Sequence, residues 1–299
     1  MRFSFWVGNA HSWEDTLAAC SFAERTGWDG IWIADHFMPL EGEGPVHEAW
    51  SMLAALAATV PRVRIGPMVA GNTYRNPAVL VKQATTVDHI SGGRVVLGLG
   101  AGWQENEHDA YGIEFNDFRW RFDRLEEACQ IIKGLMGDER TSFDGEHYRI
   151  ADAPLDPKPI QDGIPLLIGG GGEKRTLRIV ARYADEWNVW GTPDVLAQKG
   201  AVLDRHCAEV GRAPGEIQRS AVALLFLSDD QAVLDKLRGR DLGRPSLIGR
   251  PEELRAELEA YAAAGVDELI VPDFSFRGAA DRETAMTRFL TEAAADFRG

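Results

Sequence analysis

Apolar residues follow two rhythms along this chain: short unbroken runs, and longer stretches in which they recur every third or fourth position. The first rhythm suits strands buried on both faces, and the second suits helices with one buried stripe. The two alternate from end to end. Arg2–Val7 reads as strand 1, and a helix over residues 12–26 sets Trp13, Leu17 and Cys20 on one face. Gly27 ends that helix, and residues 30–34 (GIWIA) form strand 2. A helix over 47–59 leads to strand 3 at 63–68. Asn76 and Pro77 then open a helix, because Asn suits the N-cap and Pro the first turn. Strand 4 spans 95–99, after the turn Ser91-Gly92-Gly93.

A helix over 120–136 carries Phe122, Leu125, Cys129, Ile132 and Met136 as a buried stripe. Strands 5 to 8 fall at 165–168, 186–189, 221–227 and 268–271, with helices between them and a last helix over 282–296. Eight strand–helix units predict a (β/α)8 TIM barrel. The chain length of 299 residues suits that fold. No repeat or linker divides it, so residues 1–299 read as one domain. The stretch 137–163 reads as an insertion before strand 5, with a small hairpin around Phe143, Asp144, Gly145 and residues 147–150.

Acidic residues outnumber basic ones by 46 to 32, which gives a net charge of −14. Such a surface repels nucleic-acid phosphates and anionic lipid, so neither is an expected partner. Cys20, Cys129 and Cys207 match no zinc spacing and no disulfide framework, as expected in a reducing cytoplasm. The opening MRFSFWVGN turns polar too soon for a signal peptide. No run approaches the ~20 apolar residues of a membrane span. A cytoplasmic protein without a membrane partner is the expectation.

In such a barrel, functional groups collect on the loops that follow the strands. Those loops supply Asn9 and His11, Asp35 and His36, residues 68–74 and 98–103, residues 169–172, Asn188 and Trp190, and residues 272–276. Glycines, amides and aromatics predominate, which suits a large planar ligand bearing a phosphate. Gly169, Gly170, Gly171 and Gly172 lie between a strand and a helix, where backbone amides can approach an anion. The plainer alternative there is a flexible turn. Gly98, Gly100 and Gly102 nearly match a dinucleotide fingerprint but lack its final glycine and a well-patterned helix, so a Rossmann site is rejected. Glycines at that strand end would instead make room for a flat ring. Asp35 and His36 end strand 2, where a histidine can exchange a proton near neutral pH. The alternative is that both only fix the loop. His11, His47 and His108 are the other upper-loop histidines. His11, His36 and Asp273 show no clustered metal-ligand spacing, and no metal is expected. Neither GxSxG nor GxxxxGK[ST] occurs.

The run 64–113 contains Tyr74-Arg75-Asn76-Pro77, Asp88-His89-Ile90-Ser91-Gly92-Gly93-Arg94 and Gly100-Ala101-Gly102-Trp103. It closely resembles the luciferase-like monooxygenase superfamily, and most of all its branch that uses the deazaflavin coenzyme F420. Residues 27–37, 168–188 and 265–272 agree, so the resemblance covers nearly the whole chain. It implies a bacterial-luciferase-like barrel, a homodimer, and a ring system in the carboxyl-end mouth backed by a cis peptide at Met68–Val69. The relatives' cofactor contacts fall on Asp35 and His36, on Met68, Val69, Gly71 and Asn72, on Leu99 and Gly100, and on the phosphate turn Gly170, Gly171 and Gly172. Trp103, Asn106 and Glu107 occupy the next loop, beside the cofactor's side chain.

The implied chemistry is hydride exchange between F420 and a small organic substrate, with His36 and Asp35 as the catalytic candidates and His36 moving the proton. Two alternatives stand beside it: an FMN-dependent monooxygenase using reduced flavin and dioxygen, and a non-catalytic flavin- or deazaflavin-binding protein. Sugar-phosphate dehydrogenases of this branch carry an acidic residue just after the strand 4 Gly-x-Gly and an aromatic one past the Asp-His pair. Ala101 and Leu40 stand at those places here. The expectation is therefore some other alcohol, imine or activated alkene, in a pocket lined by loops 40–47, 143–148 and 274–277 with Trp190.

Overall fold

The computed structural model describes residues 1–298. Strand β1 (Arg2–Val7) leads to helix α1 (Trp13–Thr26). Ser12 caps α1 by accepting from the Asp15 amide, and Gly27 closes it at φ 92°, where a Cβ would be strained. Then come β2 (Gly30–Ile33), α2 (Ala49–Thr59), β3 (Arg64–Pro67), β4 (Ala70–Gly71) and α3 (Pro77–Ser91), the last capped by Asn76. Beyond them lie β5 (Leu97–Gly100), a short α4 (Glu105–Tyr111) and α5 (Phe118–Gly137). The insertion is a hairpin of β6 (Arg140–Asp144) and β7 (Arg149–Pro154), placed before β8 (Leu166–Gly169) as expected. The second half runs α6 (Thr176–Tyr183), β9 (Glu186–Trp190), α7 (Pro193–Glu209), β10 (Gln218–Val222), β11 (Leu224–Leu227), α8 (Gln231–Arg238), β12 (Ser246–Gly249), α9 (Pro251–Ala263), β13 (Glu268–Pro272) and α10 (Ala279–Arg288).

The main sheet is parallel, in the order β3-β2-β1-β13-β10-β9-β8-β5-β4. β3 and β4 are two halves of one barrel strand, interrupted at Met68–Val69, where the peptide bond is cis as the resemblance implied. The ends of the sheet meet where Ile65 bridges to Val95 and the Val96 amide donates to the Ile65 carbonyl at 2.9 Å. The nine segments thus make the eight strands of a closed (β/α)8 barrel, with the helices outside.

Two apolar cores follow from that closure. The larger lies between strands and helices and holds Phe3, Phe5, Ile31, Leu97, Leu99 and Ile168 among others. The smaller fills the barrel itself with Trp6, Trp32, Ala34, Met68, Val96, Leu167, Val222 and Ile270. Charge plugs the amino-terminal end of the interior: Arg64 pairs with Glu186 and, at 2.8 Å, with Glu268, which also accepts from Trp32 Nε1.

Three expectations need correction. The apolar run 221–227 is not one strand: β10 starts earlier, at Gln218, and leaves the barrel after Val222, while β11 pairs with β12 in a separate two-stranded sheet. A short helix, α4, does follow the strand 4 glycines. The last helix begins at Ala279 and gives way to a π-turn at Phe289–Ala293.

Backbone meets backbone at the seam. A Cβ on Gly98 would sit 2.1 Å from the Pro67 carbonyl oxygen, a separation no real Cβ tolerates. Gly98→Ala is therefore expected to lower unfolding free energy by about 1–3 kcal/mol, the usual range for overpacking. Urea melts of the two proteins measure it, and an unchanged midpoint would refute the tight seam.

Candidate active site

The carboxyl ends of the strands form a mouth whose floor is built around one side chain. Ideal Cβ positions on Gly98, Gly100 and Gly169 would fall 3.1, 2.8 and 3.0 Å from the methyls of Val69. The glycines expected to leave room for a flat ring therefore leave room first for Val69. Met68 is buried below it in the interior core, which Val69 and Trp190 join from above. Leu99 points the other way, into the outer core, so only its backbone borders the mouth.

Histidine and carboxylate meet on one side of this floor. Asp35 and His36 follow β2, as expected, but they are not each other's partners. His36 Nδ1 lies 2.7 Å from Oε1 of Glu107 on α4, and the Phe37 amide donates to Glu107 Oε2 at 2.8 Å. The Tyr74 hydroxyl also donates to Glu107 Oε1. Glu107 is fully buried. Burial pushes its carboxyl up, but the bonds from His36, Phe37 and Tyr74 outweigh that and hold it below the usual carboxylate range. Burial, and then Glu107 itself, push the Tyr74 hydroxyl up, so it stays protonated.

Asp35 is buried and grips Arg75 with both oxygens, at 2.6 and 3.1 Å, while Arg75 also donates to Glu48 at 2.7 Å. Burial works against the Arg75 cation, but Asp35 and then Glu48 outweigh it and raise the guanidinium above its usual value. Both carboxylate oxygens of Asp35 are thus engaged by Arg75.

The remaining expected residues fall around the rim. Gly71 packs under the Tyr74 ring, where a Cβ would come within 2.5 Å. Asn72 is buried and donates to the Tyr148 hydroxyl at 3.3 Å, and its own Oδ1 has no partner. Tyr148 comes from the hairpin, whose turn is held by Glu127 accepting the amides of Glu146, His147 and Tyr148. Asn106 turns from the mouth to donate to the Pro39 and Leu40 carbonyls. Trp103 is exposed and lies edge-on to His36 at 5.5 Å, whereas Tyr111 packs at a tilt against Phe37. His108 is buried between Thr73 and the Gln104 carbonyl, in a structural place.

At the Gly-rich turn, Gly170 adopts φ 116° and its amide donates to the Asn188 carbonyl. The amides of Gly171 and Gly172 have no acceptor among the described residues, and Lys199 Nζ donates to the Gly171 carbonyl at 2.7 Å. Free amides beside a lysine, just before α6, suit an anion. A Cβ on Gly171 would meet Val189 and Lys199 near 3 Å, so a side chain would close this cradle.

Across the mouth, His11 Nε2 meets Asp273 Oδ2 at 2.7 Å, a pair separate from His36 and Glu107. Beside it stand Trp6, Trp190 and Phe274, with ring centroids 5.9 and 5.4 Å from Trp6, and the Arg244 guanidinium lies 4.7 Å over Trp190. The Trp6 Nε1 donor is buried without a partner. A polar cleft of about 450 Å³ at the opposite end of the barrel, lined by Arg2, Asp29, Asp267 and Arg298, has these charges engaged internally.

Sequence reasoning did not single out Glu48 or Lys199, placed Tyr74 and Tyr148 only within longer loop stretches, and placed Glu107 only through the resemblance. A buried carboxylate on a seven-residue helix leaves no pattern, and Tyr148 arrives from an insertion.

The chain belongs to the luciferase-like monooxygenase family, whose model matches residues 1–243. An F420-dependent glucose-6-phosphate dehydrogenase of Kineococcus radiotolerans is 40% identical over 217 residues, which cover 70% of this chain and 63% of that protein. The chain spans about half to two thirds of the length of the curated relatives it matches. An F420-dependent secondary alcohol dehydrogenase, solved in complex with an F420–acetone adduct, superposes with a TM-score of 0.85 at 20% identity over 98% of both chains. Monooxygenase RslO1 from Streptomyces bottropensis superposes with 0.83 at 19% identity over 100% of both. Both structures share the barrel; neither likeness alone chooses the chemistry.

Removing Arg75 strands a buried carboxylate. Arg75→Met should cost about 3–5 kcal/mol of stability, as for other broken buried pairs. The double variant with Asp35→Asn should regain part of that loss in chemical denaturation. A neutral Arg75→Met would show that the pair carries no weight.

Proposed function

We propose that this chain is an F420-dependent oxidoreductase acting on a small organic substrate. One observation carries the reading: beside a floor made by Val69, His36 has Nδ1 tied to buried Glu107 while Nε2 has no partner among the described residues. The Kineococcus relative supports the choice of cofactor. The residues present fit that group. The Gly171 and Gly172 amides with Lys199 would hold its phosphate, and Val69 and Gly100 would border its ring. Coenzyme F420 supplies a ring carbon that gives or accepts a hydride. His36 Nε2 takes the proton from a substrate hydroxyl during oxidation and returns it during reduction. Arg75, Asp35 and Glu48 keep the loop in place, and Trp6, Trp190 and Phe274 wall the substrate from water.

That aromatic wall suits a substrate with an apolar body. Ala101 and Leu40 stand where sugar-phosphate dehydrogenases of the branch carry acidic and aromatic groups, so we place glucose 6-phosphate outside its range. We also infer a cytoplasmic homodimer. Three buried unpaired cysteines support the compartment, and Val79 and Ile90, exposed on α3, offer an apolar face for a second copy. No helix among the described residues is long and apolar enough to cross a membrane.

Titration of the purified protein with F420 and FMN side by side should give saturable, F420-selective binding; FMN-selective binding would transfer it to the monooxygenases. His36→Ala should lower turnover by about 10²–10⁴-fold and leave F420 affinity intact. Undiminished turnover would take His36 out of the reaction.

A further inference from the structure

We propose that Glu107 is the positioning residue of the proton exchange: it holds the His36 hydrogen on Nδ1, so that Nε2 is the nitrogen that meets the substrate. This rests on His36 being the proton-handling group, and adds where its proton resides and what keeps it there. Glu107 is fully buried, yet its environment favours the carboxylate over the acid. An ionised carboxylate only accepts hydrogen bonds. At the 2.7 Å contact between Glu107 Oε1 and His36 Nδ1, the hydrogen therefore belongs to the imidazole. The same Oε1 accepts from Tyr74, and Oε2 accepts from the Phe37 amide, so the carboxylate cannot rotate away without breaking a second bond.

A flipped ring would turn Cδ2 toward Glu107 and lose this bond. Gln104 Nε2 donates to the Met38 carbonyl and Asn106 Nδ2 to those of Pro39 and Leu40, so α4 is fastened to the loop that carries His36. Trp103 closes on the ring edge at 5.5 Å. The neighbouring Asp35 is held by Arg75 instead of by His36, and its carboxyl is pushed up by burial. Glu107 alone then chooses the tautomer. A glutamine in its place has both a donor and an acceptor, and could stabilise either one.

The test reads the ring directly. In protein labelled with ¹⁵N-histidine, the His36 signals are identified among the seven histidines by their loss in His36→Gln. For the neutral ring we expect a protonated Nδ1 and a lone-pair Nε2. In Glu107→Gln, population should move toward the Nε2-protonated tautomer while kcat falls by about 10²–10⁴-fold and F420 still binds. A wild-type Nε2–H tautomer overturns the proposal, and that spectrum decides even if Glu107→Gln fails to fold. So does a variant that keeps both the wild-type tautomer and its kcat. Failure of the F420 reading would show as lost cofactor binding with the tautomer unchanged, so the two failures are distinct.

Discussion

The structure depends on a seam in which two strands meet with no side chain between them. Gly98 lies so close to the Pro67 carbonyl that only hydrogen fits, and closure of the sheet follows from that approach. Just past the seam the strand breaks at Met68–Val69, and Val69 occupies the space that Gly98, Gly100 and Gly169 leave open. A strand end poor in side chains thereby becomes a shallow apolar floor at the mouth of a closed barrel.

Around that floor the charges are largely satisfied from within. Arg75 answers Asp35 and Glu48, Glu107 gathers three donors, and Asp273 takes His11 and the Gly8 amide. Among the described residues, the groups left free around the mouth include His36 Nε2, the Gly171 and Gly172 amides, and the buried Trp6 Nε1 and Asn72 Oδ1. Their distribution, free amides on one side and a free imidazole nitrogen on another, is what the proposed cofactor with a substrate above it would need.

Much of the fold was legible because local chemistry and tertiary demand agree. Ser12, Asn76 and Gly27 mark helix ends by the groups they offer or lack, and the strands announce themselves as apolar runs. Strand 7 was misplaced for a physical reason. Gln218 sits exposed at the lower rim, where it accepts from Arg2, and Ser220 is buried against Asn188, so the true strand begins with polar residues. The apolar run after it serves two sheets. At the candidate site, the positions of His36 after β2 and of the Gly-rich turn after β8 could be read from composition and position. The partners could not, since Glu107 lies 71 residues from His36 and Arg75 lies 40 from Asp35, separations that only the closed barrel brings together.

The most direct test is a crystal structure of the protein with oxidised F420. The account requires the ring to rest against Val69, with His36 Nε2 facing the substrate side and the phosphate on the Gly171 and Gly172 amides. A phosphate bound elsewhere, or a ring lying outside the mouth, would contradict it.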